Sequence, residues 1–118
     1  GTLVLSNANT YSGNTTLANG TLDLRNANAA TTTGTIFVND ASTTAAMDTT
    51  LVLGAAVTVA RPVTVNNFGD QTTLGSTVTS GTATFSGTVT LNKDVALSAA
   101  SGGTTVFSNV LSGVGGIE

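Results

Sequence analysis

One pattern constrains this chain more than any other: glycine, threonine, an apolar residue, any residue, then a second apolar residue. It occurs as GTLVL (Gly1 to Leu5), GTLDL (Gly20 to Leu24), GTIFV (Gly34 to Val38), GTATF (Gly81 to Phe85) and GTVTL (Gly87 to Leu91). A further copy, TTLVL (Thr49 to Leu53), has Thr in place of the glycine. Side chains alternate along a strand, so the third and fifth positions share one face. They are Leu3/Leu5, Leu22/Leu24, Ile36/Val38, Leu51/Leu53, Ala83/Phe85 and Val89/Leu91. The residue between them ranges from Asp23 to Phe37, as an outward position allows.

Shorter apolar runs fill the gaps, at Val57 to Val59, Val63 to Val65, Thr77 to Thr79, Val95 to Leu97 and Thr104 to Phe107. Gly, Asn, Asp and Ser punctuate them, as turn residues do. No segment sustains a 3.6-residue period with good helix formers. The best attempt, Ala41 to Asp48, is short and interrupted by Thr, and one turn at most is expected there. The chain therefore reads as all-β, with about a dozen short strands by pattern.

An antiparallel sandwich or barrel would favour longer strands and two-residue hairpin turns. Asn19-Gly20 is the only Asn-Gly dipeptide. A solenoid needs short strands whose pattern recurs about once per coil. The first motif spacings, 19 and then 14 residues, resemble coil lengths, and LSNAN recurs as LRNAN at a spacing of 19. The Gly81 and Gly87 copies are six apart and fit two faces of one coil. At about 20 residues per coil the chain makes about six coils, a rod of about 30 Å at about 4.8 Å per coil. Asn7, Asn9, Asn26 and Asn28 are expected to stack as amide ladders between coils.

Composition narrows the chemistry. Thr is the commonest residue, and charged residues make up only 8% of the chain, against about a quarter in an average globular protein. Arg25, Arg61 and Lys93 are scattered and the net charge is −3, which excludes a phosphate-binding basic patch and hence nucleic acid. Cys is absent, so disulfides and thiolate metal sites are excluded. His is absent too, which removes the usual general base and rules out a Ser-His-Asp triad. No 18-residue apolar run exists, so no membrane insertion as a helix is expected. No signal-peptide pattern opens the sequence, and export is expected to be directed by parts outside it.

The stretch GTLVLSNANTYSGNTTLANGTLDL (residues 1–24) resembles the autotransporter-associated β-strand repeat of bacterial passenger domains. The matching residues are Gly1, Thr2, Leu3, Leu5, Asn9, Thr10, Tyr11, Gly13, Thr15, Thr16, Gly20, Thr21 and Leu22. The closing SGVGGIE (Ser112 to Glu118) resembles the lead-in that precedes such a repeat. The resemblance implies a right-handed parallel β-helix, an extracellular or cell-surface location, and a structural or adhesive role. It transfers no catalytic residue. Residues 1–118 then form one solenoid segment, a period or subunit of a longer array.

Each reactive residue type has a plainer role in such a fold. Asp40, Asp48, Asp70, Asp94 and Glu118 read as turn residues, and Asp23 as an outward strand position; none lies in a calcium-repeat pattern. Arg61 is expected on the surface beside a corner shaped by Pro62, since proline cannot donate to a central ladder. Tyr11 is expected to pack over a turn, while Phe37, outward between Ile36 and Val38, suggests either a contact surface or a local bulge. The Gly-rich Ser101 to Thr105 lacks the lysine of a phosphate loop. No cofactor, metal or enzymatic activity is expected. The expected partner is the chain itself, end to end. A carbohydrate-binding adhesin that takes host or matrix glycans is the alternative, and a polysaccharide lyase or hydrolase a distant third.

Overall fold

Short β-branched runs separated by Gly and Asn cannot form long strands, and in the computed structural model, which covers residues 1–118, they form thirteen short ones and no helix. Every strand pairing is parallel, and the strands make three sheets. Sheet A stacks β1 (Thr2–Leu5), β3 (Gly20–Leu24), β5 (Thr49–Leu53), β8 (Thr72–Ser76) and β11 (Ala96–Ala99). Sheet B stacks β2 (Thr15–Leu17), β4 (Ile36–Val38), β7 (Val63–Val65), β10 (Val89–Leu91) and β13 (Leu111–Gly113). Sheet C holds β6 (Thr58–Val59), β9 (Thr82–Phe85) and β12 (Thr104–Phe107). The chain visits A and B in every turn and is a parallel β-solenoid. Sheet C exists only in the last three coils; in the first two, turns at residues 6–14 and 25–35 replace it.

The solenoid has five coils rather than six, with an isolated bridge from Ile117 to Val95 opening another rung. The motif marks strand starts, not coils. GTLDL and GTIFV are β3 and β4 of one coil, so their spacing of 14 is not a coil length. GTATF and GTVTL are β9 and β10, two faces of one coil as expected. The molecule measures 33 × 32 × 28 Å, so the segment is as broad as it is tall. The run Thr77 to Thr79 is not a strand; the strand is β8, just before it. Residues 41–48 form turns without a helix.

The register explains the core. Leu3, Leu22, Leu51, Leu74 and Leu97 form one unbroken leucine column. Opposite it, Leu17, Val38, Val65 and Leu91 stack in sheet B. The predicted inward pairs from Leu22/Leu24 to Val89/Leu91 are all buried and belong to one 19-residue cluster. Leu3 and Leu5 point the same way, but β1 is the outer strand of its sheet, so Leu3 stays exposed.

The glycine of the motif has a packing cause. Gly20 takes φ 78°, and a Cβ there would lie 2.5 Å from the carbonyl oxygen of Gly1 in the coil before. Gly34 sits over Gly13 in the same way, with its Cβ position 2.6 Å from that carbonyl. Real Cβ atoms do not approach so closely, so a side chain there must wedge two coils apart. Gly34→Ala is expected to cost about 1–3 kcal/mol, as overpacking does. Its urea midpoint would show this; an unchanged midpoint would mean the corner relaxes freely.

Candidate functional site

Four of the seven buried polar residues, Asn39, Thr43, Thr49 and Thr72, lie at the corner where sheet B hands over to sheet A. An asparagine follows the sheet B strand in three successive coils: Asn39 after β4, Asn66 after β7 and Asn92 after β10. Their backbone N–H groups donate to Leu17, Val38 and Val65 of the preceding coils, each at 2.9 Å. Asn39 is fully buried, with φ 69°, the one non-glycine residue in the left-handed region. Its Nδ2 donates to the Phe68 carbonyl at 2.9 Å, to Thr72 Oγ1 at 3.0 Å and to the Asn66 carbonyl at 3.3 Å. Its Oδ1 accepts from Thr49 Oγ1 at 2.7 Å, and Asn66 Nδ2 returns a bond to the Asn39 carbonyl at 2.9 Å. Thr49 and Thr72, both buried, share a 3.1 Å hydrogen bond across adjacent rungs.

The signal of this column in the sequence is the asparagine that ends each apolar run in FVND, TVNN and TLNK. Asn7, Asn9, Asn26 and Asn28, at the corner after sheet A, do not form the expected side-chain ladder. Asn9 Nδ2 donates to the Ala29 carbonyl at 2.5 Å, and Asn26 Oδ1 accepts from the Asn28 amide at 3.0 Å within its own turn. The Asn9 amide N–H also donates to the Asn28 carbonyl at 2.9 Å, so these coils are joined there through backbone groups.

The acidic residues act mostly as turn and coil staples. Asp40 Oδ1 accepts from the Ser42 hydroxyl at 2.5 Å and the Ser42 amide at 2.8 Å. These bonds, the hydroxyl first, hold its carboxyl below the ordinary value. The resulting stabilisation is present above the unfolded-state value and is lost as pH falls through the folded one. Asp48 Oδ1 accepts from the Gln71 amide at 3.1 Å and Asp94 Oδ1 from the Gly116 amide at 2.6 Å, each tying a coil to the next. No three acidic side chains gather at a point.

Asp23 departs from its outward reading. It is only 5% exposed, lying in a column between Val4 and Val52. Its Oδ2 accepts from Arg25 Nε at 2.9 Å and Nη2 at 2.8 Å, while Oδ1 has no hydrogen-bond partner and rests against Gly54, whose Cβ would lie 2.1 Å from it. The Arg25 side chain is half exposed, which screens the pair. Arg25→Ala should therefore cost less than the several kcal/mol of a fully buried broken pair, about 1–3 kcal/mol. Asp23→Val, which completes a valine column, should be neutral or stabilising, and in that background Arg25→Ala should cost almost nothing. Equal Arg25→Ala penalties in both backgrounds, read from urea midpoints, would overturn this coupling.

Arg61 is less free than expected: its Nη1 donates to the Thr32 carbonyl of the previous coil at 2.8 Å, and Pro62 immediately precedes β7 at the corner. Phe37 is half-buried on the outer face of sheet B, in register with Thr16 and Thr64. Ser101 and Gly102 form a plain turn between β11 and β12. An open depression of about 620 Å³ lies beside β1 and β2, lined among others by Leu3, Leu5, Tyr11 and Leu17.

The motif residues of the first coil have distinct roles. Gly1, Thr2, Leu3, Leu5, Gly20, Thr21 and Leu22 build the β1–β3 pairing, and Thr15 and Thr16 lie in β2. Asn9 and Tyr11 bond this coil to the next, and Gly13 lies directly against Gly34 of that coil. The Tyr11 carbonyl accepts from the Thr32 amide at 3.0 Å, and its hydroxyl bonds Thr15 Oγ1 at 2.6 Å. Tyr11 remains 40% exposed. Residues 1–24 match the family model of the passenger-associated-transport-repeat. That stretch is a passenger-type repeat. The match ends with β3, so the repeat is one whole coil plus the first strand of the next, and it carries both partners of the β1–β3 ladder. No match is found among curated proteins or solved structures. The first coil, which holds most of the repeat and lacks sheet C, is the smallest: Thr2 to Thr21 is 19 residues, against 29 from Gly20 to Thr49 and 23 from Thr49 to Thr72.

Proposed function

We propose that this chain is a structural segment of an autotransporter-type passenger, a secreted or surface-exposed rod whose work is mechanical and which performs no catalysis. The observation that carries this reading is the continuity of its columns. Leucine stacks on leucine through five rungs of sheet A. The passenger-type repeat supports the location, and the stapling role of the carboxylates supports the absence of chemistry. Each coil adds little area alone, so stiffness grows with the number of coils stacked.

Open strand edges invite further strands. The segment is proposed to continue end to end into further coils, in tandem or as stacked copies. Electron micrographs of the concentrated protein should show rods several times the length of one copy; single-copy particles at every concentration would count against end-to-end stacking.

A further inference from the structure

Five of the six carboxylates, Asp40, Asp48, Asp70, Asp94 and Glu118, lie on or just after the connections from sheet B to sheet A, and Lys93 is the one cationic side chain among them. Lys93 follows Asn92 and reaches back to the turn of the preceding coil. Its Nζ donates to three consecutive carbonyls, those of Phe68 at 3.2 Å, Gly69 at 3.1 Å and Asp70. Consecutive carbonyls of an extended chain point opposite ways, and the left-handed Gly69, φ 77°, breaks that alternation. An ammonium has three donors and no acceptor, so three carbonyls satisfy it completely. The turn is also held from within, because the Phe68 carbonyl accepts from buried Asn39. The Phe68 oxygen is thus anchored by the core, and the Phe68 and Asp70 amides donate to the Asn66 and Met47 carbonyls at 2.9 Å, so the turn does not depend on Lys93 alone for its shape.

We propose that the Phe68–Asp70 turn is a monovalent-cation site of neutral carbonyl oxygens, whose resident cation is the Lys93 ammonium, and that it takes free ammonium or potassium when that side chain is shortened. Backbone carbonyls are established ligands for hard cations, and the acidic corner raises the local cation concentration. Three fixed oxygens facing one point inside a negative field are unfavourable when empty. That is why the site is expected to refill and not simply to collapse.

The test is thermal unfolding of Lys93→Ala in ammonium chloride and in tetramethylammonium chloride at equal concentration. Tetramethylammonium has no N–H donor and is too large for the turn. Lys93→Ala should melt about 4–8 °C below the wild type in tetramethylammonium. Ammonium should restore most of that loss, while the wild type, its site filled, should melt alike in both salts. Lys93→Gln provides a second arm, since its amide reaches the carbonyls and occupies the turn. It should melt between the wild type and Lys93→Ala and gain nothing from ammonium. Equal melting of Lys93→Ala in the two salts, or an equal ammonium gain in Lys93→Gln, would overturn the proposal.

Discussion

Asn39→Ala should be the most damaging single polar substitution in the chain, lowering stability by about 3–5 kcal/mol, from two separate causes. The first is the loss of bonds. Thr49 Oγ1, Thr72 Oγ1 and the Phe68 carbonyl lose a buried partner, and a buried polar group left without one costs about 1–3 kcal/mol. The second is backbone conformation, because alanine at φ 69° carries a left-handed penalty of about 1–2 kcal/mol that asparagine tolerates better. Asn39→Gly separates the two: it loses the bonds but not the conformation, and should fall between wild type and Asn39→Ala. The order of urea midpoints decides it. An Asn39→Ala midpoint near wild type would show that the column contributes little. An Asn39→Gly midpoint no better than that of Asn39→Ala would show that backbone conformation is not part of the cost.

Phe85→Ala should cost a similar amount, about 3–5 kcal/mol, through a cavity. Phe85 is the largest fully buried side chain, and its ring stacks on Phe107 of the next coil at 4.9 Å between centroids and 5° between planes. The pair adds about 0.5–1.5 kcal/mol beyond area burial. Phe107 is only half-buried, so Phe107→Ala should cost less, and the double mutant should fall short of the sum of the singles. The damage should also be local. Sheet C has three strands, and contacts in a solenoid are mainly between neighbouring coils. Hydrogen exchange should speed up in β6, β9 and β12 before it does in β1 and β3. Uniform acceleration along the chain would indicate that the coils unfold as a single cooperative unit.

These two sites differ in how legible they were in the sequence. Phe85 occupies the fifth position of a G-T-apolar-x-apolar copy, and strand alternation alone placed it inside. The same alternation placed Leu3, Leu22 and Leu51 of the leucine column and Val38 and Leu91 of sheet B on one face, because period-two patterning is a local property of the strand; Leu74 was not among them, since its strand β8 lacks the motif. Asn39 was not legible in this way. Its environment comes from Thr49, Phe68, Asn66 and Thr72, brought together only when three coils are superposed. The repeated asparagine after each sheet B strand was the available clue, but nothing local distinguishes an asparagine in a buried column from one in a solvated turn.

The coil count followed the same division. A motif states where a strand begins and which way its side chains face; it does not state to which of three sheets the strand belongs. GTLDL and GTIFV looked like successive rungs and are two sides of one. The turn between β4 and β5, residues 39–48, lengthens one coil to 29 residues, counted from Gly20 to its partner Thr49, without disturbing the register above or below it. Asp23 shows the converse error, a strand position outward by alternation and yet buried, because Val4 and Val52 on adjacent rungs and Gly54 close around it.

The sequence alone determined that this chain is all-β, that its strands are short and repeat, that the apolar positions face one interior, and that residues 1–24 are a passenger-type repeat. Each of these depends on residues within a few positions of one another. The number of coils, the third sheet, the asparagine column and the carbonyl turn that holds Lys93 were decided only by stacking. Residues from 19 to 29 positions apart become neighbours across one rung, and that distance varies from coil to coil in a way no local spacing records.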